Sequence, residues 1–302
     1  MTLRRVCQCA CFELFDAMRS RRALVLVVLY LIVSLLTMGG TITMLGKMED
    51  QLAETLRIER VEGKSGVVSA TLWKSKPFQR LVRHAVGSEL VYNDIAGRHP
   101  AELLYAWLVF LVVPLLTVLF SANRAAGDVR SGAVRYMLTR VTRLEWTLGK
   151  YFGNAVLVLA GLLVGAVAAW CVAAWKLSGA DIPALLPAML GWSLKAWMLS
   201  LAWLGVALGV SHCFQTPAKA DGVALVALFA CSVAPKLLAF LSEKEGFVGK
   251  LAVLSPLFPS VAEDALWRAS VAPVAIAGLW LLALGLLYLS AGHACFARRD
   301  VR

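Results

Sequence analysis

The sequence predicts an all-α polytopic membrane protein of six transmembrane helices, with an N-terminal cytoplasmic interfacial helix and re-entrant outer helices before the last span. Three observations predict it. The 302 residues are 60% hydrophobic and only 16% charged, with a mean hydropathy of +0.73, whereas soluble domains are about half apolar and about a quarter charged. Six apolar runs are each long enough for a bilayer core of about 30 Å, which takes roughly 20 helical residues. The charges are sorted unequally between the two sets of connecting segments. This composition excludes a soluble enzyme, a disordered tail and a secreted disulfide scaffold, and the seven cysteines (7, 9, 11, 171, 213, 231 and 295) leave the long polar stretches empty.

The spans run over about 23–45, 102–122, 151–175, 189–211, 220–241 and 272–292. Arg19, Arg21 and Arg22 precede the first one. Its apolar run exceeds the roughly 7–15 residues of a signal core and no small-x-small cleavage site follows, so it is expected to be retained. Six spans place both termini on one side. Segments 1–22, 123–150, 212–219 and 293–302 carry 15 Lys/Arg against 5 acids in 68 residues; segments 46–101, 176–188 and 242–271 carry 13 against 12 in 99. The positive-inside rule assigns the first set to the cytoplasm. The net charge of +11 is therefore a topology signal and calls for no nucleic acid. All seven cysteines fall in spans or in the cytoplasmic set, as suits an oxidising compartment on the other side.

Between the spans the reading is coarser. Leu3, Cys7, Cys11, Leu14 and Met18 stand three or four apart, the pattern of a helix lying on the cytoplasmic face before the first span. Cys7, Cys9 and Cys11 alternate, which scatters thiols around a helix and makes them filler. In the 46–101 insertion Leu45, Met48, Leu52 and Leu56 continue a helical stripe, residues 62–66 break it, and Phe78, Leu81, Val82 and Val86 begin another. About 56 residues is near the lower limit for an independent core, so helices leaning on the spans or on a partner are expected. Ser255-Pro256-Leu257-Phe258-Pro259 breaks the 242–271 segment into short capping pieces.

Catalytic motifs fail on spacing. Gly63-Lys64-Ser65 lacks the first glycine of a phosphate loop, since position 58 is Ile. Leu177-Ser178-Gly179-Ala180 breaks a transport-ATPase signature at Ala180. Gly209-Val210-Ser211-His212-Cys213 lacks the second glycine of a nucleophile elbow. The four histidines (84, 99, 212, 293) fall on both sides of the membrane, and His293-Ala294-Cys295 offers only two metal ligands. Gly161/Gly165 and Gly205/Gly209 are Gly-x-x-x-Gly pairs that allow helices to approach closely, within one chain or between two.

The 123–150 loop stands apart. Val134, Met137, Leu138 and Val141 form an apolar stripe at helical spacing flanked by Arg135 and Arg140, a basic amphipathic pattern suited to docking on a cytoplasmic partner or on anionic lipid. Asp128, Ser131-Gly132, Met137-Leu138, Thr139-Arg140, Thr142-Arg143 and Gly149-Lys150 fall on a pattern that resembles the cytoplasmic loop of the type-two (export-type) ABC transporter permeases. That loop usually has Glu in place of Asp128 and Pro in place of Val141. The cytoplasmic entry helix, the six spans, the Pro-broken outer segment and the ending Phe296-Ala297-Arg298-Arg299-Asp300 are also similar to that family.

The resemblance implies an interfacial helix over 1–22 and a six-span permease domain over 23–302 of a multi-pass bacterial inner-membrane protein. It implies a second permease subunit, identical or paralogous, and two separate cytoplasmic ATPase subunits that hold ATP and magnesium, with no cofactor on this chain. It implies ATPase docking at Asp128, Arg130, Gly132, Arg135, Arg140, Arg143 and Lys150, with Asp128, Arg135 and Arg143 in ion pairs and a 128–143 helix transmitting the push. Lys195 and Lys236, at similar depth near the outer ends of their spans, either line a substrate pathway or snorkel to the interface. Asp221 is expected to pair with Lys219. Two other function classes stand beside this one: ATPase-driven work on an outer-side protein through 46–101 with nothing crossing, and an intramembrane enzyme active on its own.

Overall fold

The computed structural model describes residues 2–56, 73, 76, 79–80, 82–83, 88–176, 182–242 and 251–298. The 62–66 break, Phe78, Leu81, Val86, the 177–180 signature and the last residues of the C-terminal motif lie outside them. The described residues fold into α1 (Leu3–Arg19), α2 (Arg21–Leu56), α3 (Glu89–Ile95), α4 (Pro100–Ser121), α5 (Arg124–Ser131), α6 (Ala133–Leu138), α7 (Arg143–Lys176), α8 (Ile182–Cys213), α9 (Pro217–Ser242), two 3₁₀ turns (Leu251–Leu257 and Pro259–Ala262), α10 (Glu263–Leu266) and α11 (Val271–Ala297). Six helices, α2, α4, α7, α8, α9 and α11, are long and apolar enough to cross a bilayer. The protein is an all-α membrane protein.

α8 is the axis of the bundle. It is apolar around its whole circumference, which is the mark of a helix packed on all sides, and it touches α4, α7, α9 and α11. Its Gly205/Gly209 pair explains the tightest contact: a side chain at Gly205 would strike the backbone of Gly285, and one at Gly209 the Tyr288 carbonyl. This pair therefore packs α8 on α11 within the chain, where close backbone approach supplies the dispersion contacts that lipid-facing burial cannot. Gly165 makes room for the Tyr30 ring of α2. A side chain at Gly161 would meet no atom within 4 Å, and the residue borders an apolar cavity of about 290 Å³ between α1, α2, α4 and α7.

α1 keeps its apolar stripe off the bundle. Leu3, Cys7, Cys11 and Met18 are exposed, while Val6, Cys9, Glu13 and Ala17 are buried against the bundle. The reason lies across the contact. Side chains at Gly149 and Gly153 of α7 would collide with Cys9, Ala10 and Glu13, so the two backbones approach so closely that only small groups fit between them. Gly149 and Gly153 form a third Gly-x-x-x-Gly pair.

At the opposite end, α3 and the 259–268 segment cap the bundle. Val82, Val91, Tyr92 and Ile95 form a small cluster that leans on Leu103 and Trp267, in keeping with an insertion too short for its own core. Asp94 ties the cap together, accepting from Arg268 Nε at 2.6 Å and from the Ala269 amide at 3.1 Å. Those two hydrogen bonds hold its carboxyl below the usual range against a small opposing effect of burial. Beneath it Glu102 Oε1 accepts from Arg98 at 2.7 Å and from Trp192 Nε1 at 2.8 Å.

Candidate functional site

The site is built at the α1 end from residues 122–150. α5 begins where α4 stops, its first amides capped from another helix: Ser211 Oγ of α8 accepts from the Ala125 and Ala126 amides at 3.1 and 3.0 Å, satisfying donors that a helix start leaves open. α5 ends at Gly132, whose φ of 76° is left-handed, a conformation that glycine adopts without steric cost. α6 follows at once and is over by Leu138. The expected 128–143 helix is thus two short helices and a turn, because Gly132 turns the chain and Thr142 starts the next helix.

Thr142 starts it through a reciprocal cap. Glu145 Oε2 accepts from the Thr142 amide at 2.9 Å, and Thr142 Oγ1 from the Glu145 amide at 3.3 Å. This is a capping box, Thr142-x-x-Glu145. The other carboxylate oxygen of Glu145 accepts the Thr2 amide at 2.8 Å, so one buried side chain fixes the start of α7 and the start of α1. The spacing was legible in the sequence; its second partner was not.

The apolar stripe faces inward. Val134 is fully buried with Ala125, Trp146 and Phe296, and Val129, Met137, Leu138 and Val141 pack around them. The opposite surface of the loop holds Arg130, Arg135, Tyr136, Thr139 and Arg140, all exposed.

Three of the expected docking residues lie elsewhere than on that surface. Lys150 is buried, with Nζ 2.6 Å from Glu13 Oε2 and 2.8 Å from Asp128 Oδ2. It sits about two turns into α7, beneath α1, and Asp128 is its second counter-ion. Arg143 is half-buried and donates to the carbonyls of Phe296 and Ala297 at 3.1 and 2.6 Å, closing the C-terminus of α11. Glu13 also receives Asn154 Nδ2 at 3.3 Å, and Arg124 sits 4.0 Å from it and 3.3 Å from Asp16. Burial pushes the Glu13 carboxyl up, but Lys150, by charge and hydrogen bond, with Arg124 and Asn154, outweighs it and holds the group below the usual carboxylate range.

Two further contacts were not legible. Thr147 Oγ1 lies 3.3 Å from His212 Nε2 and 3.0 Å from His293 Nδ1, joining α7, α8 and α11 through two histidines that are 81 positions apart in the chain. Asp221 pairs with Arg22 of α2 at 2.9 Å and not with Lys219; the neighbour in sequence is on the wrong side of the helix. At the other end, Lys195 Nζ donates to the Arg268 carbonyl at 2.9 Å and lies 4.2 Å from the Trp192 ring centre, so it fastens the cap. Lys236 is exposed on α9.

The loop therefore has a basic outer surface and an inner surface held by α1, α7, α8 and α11 together. No individually curated protein matches the chain. A family model described as ABC-2 family transporter protein matches residues 9–301, nearly all of the chain and the whole of this site. The protein belongs to the ABC-2 transporter family and is a membrane permease component of an ABC transporter.

Proposed function

We propose that this chain is an export-type permease subunit of the bacterial inner membrane, that the α1 end is cytoplasmic, and that a separate ATPase docks on the 124–142 loop. The observation that carries the reading is the division of that loop. Arg130, Arg135 and Arg140 are exposed on it, while Asp128, Val134 and the α5 N-terminus are each held by a different helix. Closure of the ATP- and magnesium-bearing ATPases would press on the arginine surface. The displacement then reaches α7 through Asp128 and Lys150, α1 through Glu13, α8 through Ser211, and α11 through Val134 and Phe296. A second permease copy or paralogue completes the pathway, and the exposed apolar side chains of α1, Leu3, Phe12, Phe15 and Met18, rest in the headgroup region of the inner leaflet.

The test is purification of the complex on a tagged permease. Arg135→Glu with Arg140→Glu removes the ATPase from the purified complex, because like charge is placed against a surface selected for basic side chains. A double variant that inserts normally and still carries wild-type amounts of ATPase would overturn the docking assignment. Loss of vectorial export from inverted vesicles with the ATPase still bound would mark a defect downstream of docking.

A further inference from the structure

At the end of the bundle opposite α1, a groove of about 680 Å³ runs between α2 and α7. Its walls are Leu35 and Leu36 with Met44 on one side and Val172 with Trp175 on the other, and its floor is Gly39 and Gly40. A side chain at Gly40 would meet no atom within 4 Å, and one at Gly39 would meet the Lys176 ammonium at 3.8 Å. Lys47 and Lys176 stand at the mouth. Lys176 Nζ donates to Thr43 Oγ1 at 3.4 Å, and that hydroxyl donates onward to the Gly39 carbonyl at 2.8 Å. Trp175 beside them is 84% exposed, the placement of an aromatic side chain at headgroup level.

We infer that this groove binds a phospholipid of the surrounding bilayer through an anionic headgroup, held by Lys47 and Lys176, with one acyl chain lying over Gly39 and Gly40. The geometry has both halves of such a ligand. Lys47 and Lys176 both line the groove, and an ammonium recognises a phosphate oxygen as a point charge. Seven residues separate Lys47 from Gly40, which is about 10 Å along a helix at its usual rise. The apolar floor therefore begins where the glycerol backbone gives way to the acyl chain. The two consecutive glycines matter because any larger residue would fill the channel that the chain needs. This site is separate from the ATPase surface, and its occupancy does not depend on the direction of transport.

The experiment uses the full chain, delipidated in a neutral detergent, with binding of dioleoylphosphatidylglycerol and dioleoylphosphatidylcholine measured by native mass spectrometry. Wild-type protein prefers the anionic lipid. Lys47→Ala with Lys176→Ala lowers that preference about fivefold per lysine, roughly 30-fold for the pair. Lys176→Arg with Lys47→Arg restores it. Gly40→Leu weakens both lipids, with an unchanged melting temperature in lipid-free detergent because its side chain enters open space. A double alanine variant that keeps the wild-type preference overturns the headgroup contact, as Gly40→Leu binding both lipids normally overturns the acyl path. Inorganic phosphate that raises the melting temperature as much as the anionic lipid does would show an anion site in place of a lipid site.

Discussion

Lys150 Nζ of α7 lies 2.6 Å from Glu13 Oε2 of α1, both side chains being only 4% exposed. A buried ion pair of this kind is weak evidence for net stability, but leaving one partner behind is costly. Lys150→Met strands Glu13 and Asp128 and is expected to destabilise the protein by about 3–5 kcal/mol, read as a lower midpoint of thermal unfolding. Glu13→Gln with Asp128→Asn in the same background recovers most of it. The pH dependence has a definite sign. The Glu13 carboxyl lies below its ordinary 4.5 in the folded chain, so its contribution is complete above that value and is lost as pH falls through the depressed one. Glu13→Gln should flatten this acid limb.

Gly149 is where α1 and α7 approach most closely, and a side chain there would collide with Cys9. Gly149→Leu should lift α1, at a cost of about 1–3 kcal/mol for overpacking. In a chain retaining only Cys9, which is buried in the native contact, maleimide labelling then goes from negligible to rapid. An unreactive Cys9 in the folded variant would disprove the contact.

Thr142 supplies the hydroxyl that caps α7. Thr142→Ala should cost about 1 kcal/mol and Thr142→Ser much less, a difference visible in unfolding midpoints of the two variants under identical detergent conditions.

Glu263 in the cap has its carboxyl pushed up to about 7, first by burial and then by the charge of Asp264, with Lys236 opposing. Between its ordinary 4.5 and about 7 the folded chain holds more protons than the unfolded one, so stability falls as pH rises through that window. Glu263→Gln should remove the fall and gain over wild type at pH values above the window. Parallel stability curves for the two proteins would contradict the assignment.

The stripe Val134, Met137, Leu138 and Val141 was legible in the sequence as one apolar face; that it packs inward around Trp146 and Phe296 was not. The apolar stripe of α1 was legible too, but not the small-residue face that packs on α7. Periodicity marks an apolar face without saying what it faces, and here the large side chains point away from the bundle while Cys9, Ala10 and Glu13 take the contact. The resemblance placed Lys150 at the ATPase contact, and its counter-ion Glu13 comes into view only when α1 folds over it.

Composition and run length by themselves determined that this is a six-helix membrane protein, since a bilayer fixes both the length and the polarity of what crosses it. The loop residues determined the family resemblance. Only the tertiary structure decided where the loop's charges lie: Arg130, Arg135 and Arg140 are exposed on its outer surface, whereas Asp128, Arg143 and Lys150 are turned toward α1, α7 and α11. The physical reason is that a charge's role depends on its nearest opposite charge or carbonyl, and Glu13 and Lys150, 137 positions apart, become neighbours only where Gly149 and Gly153 let two backbones close on each other.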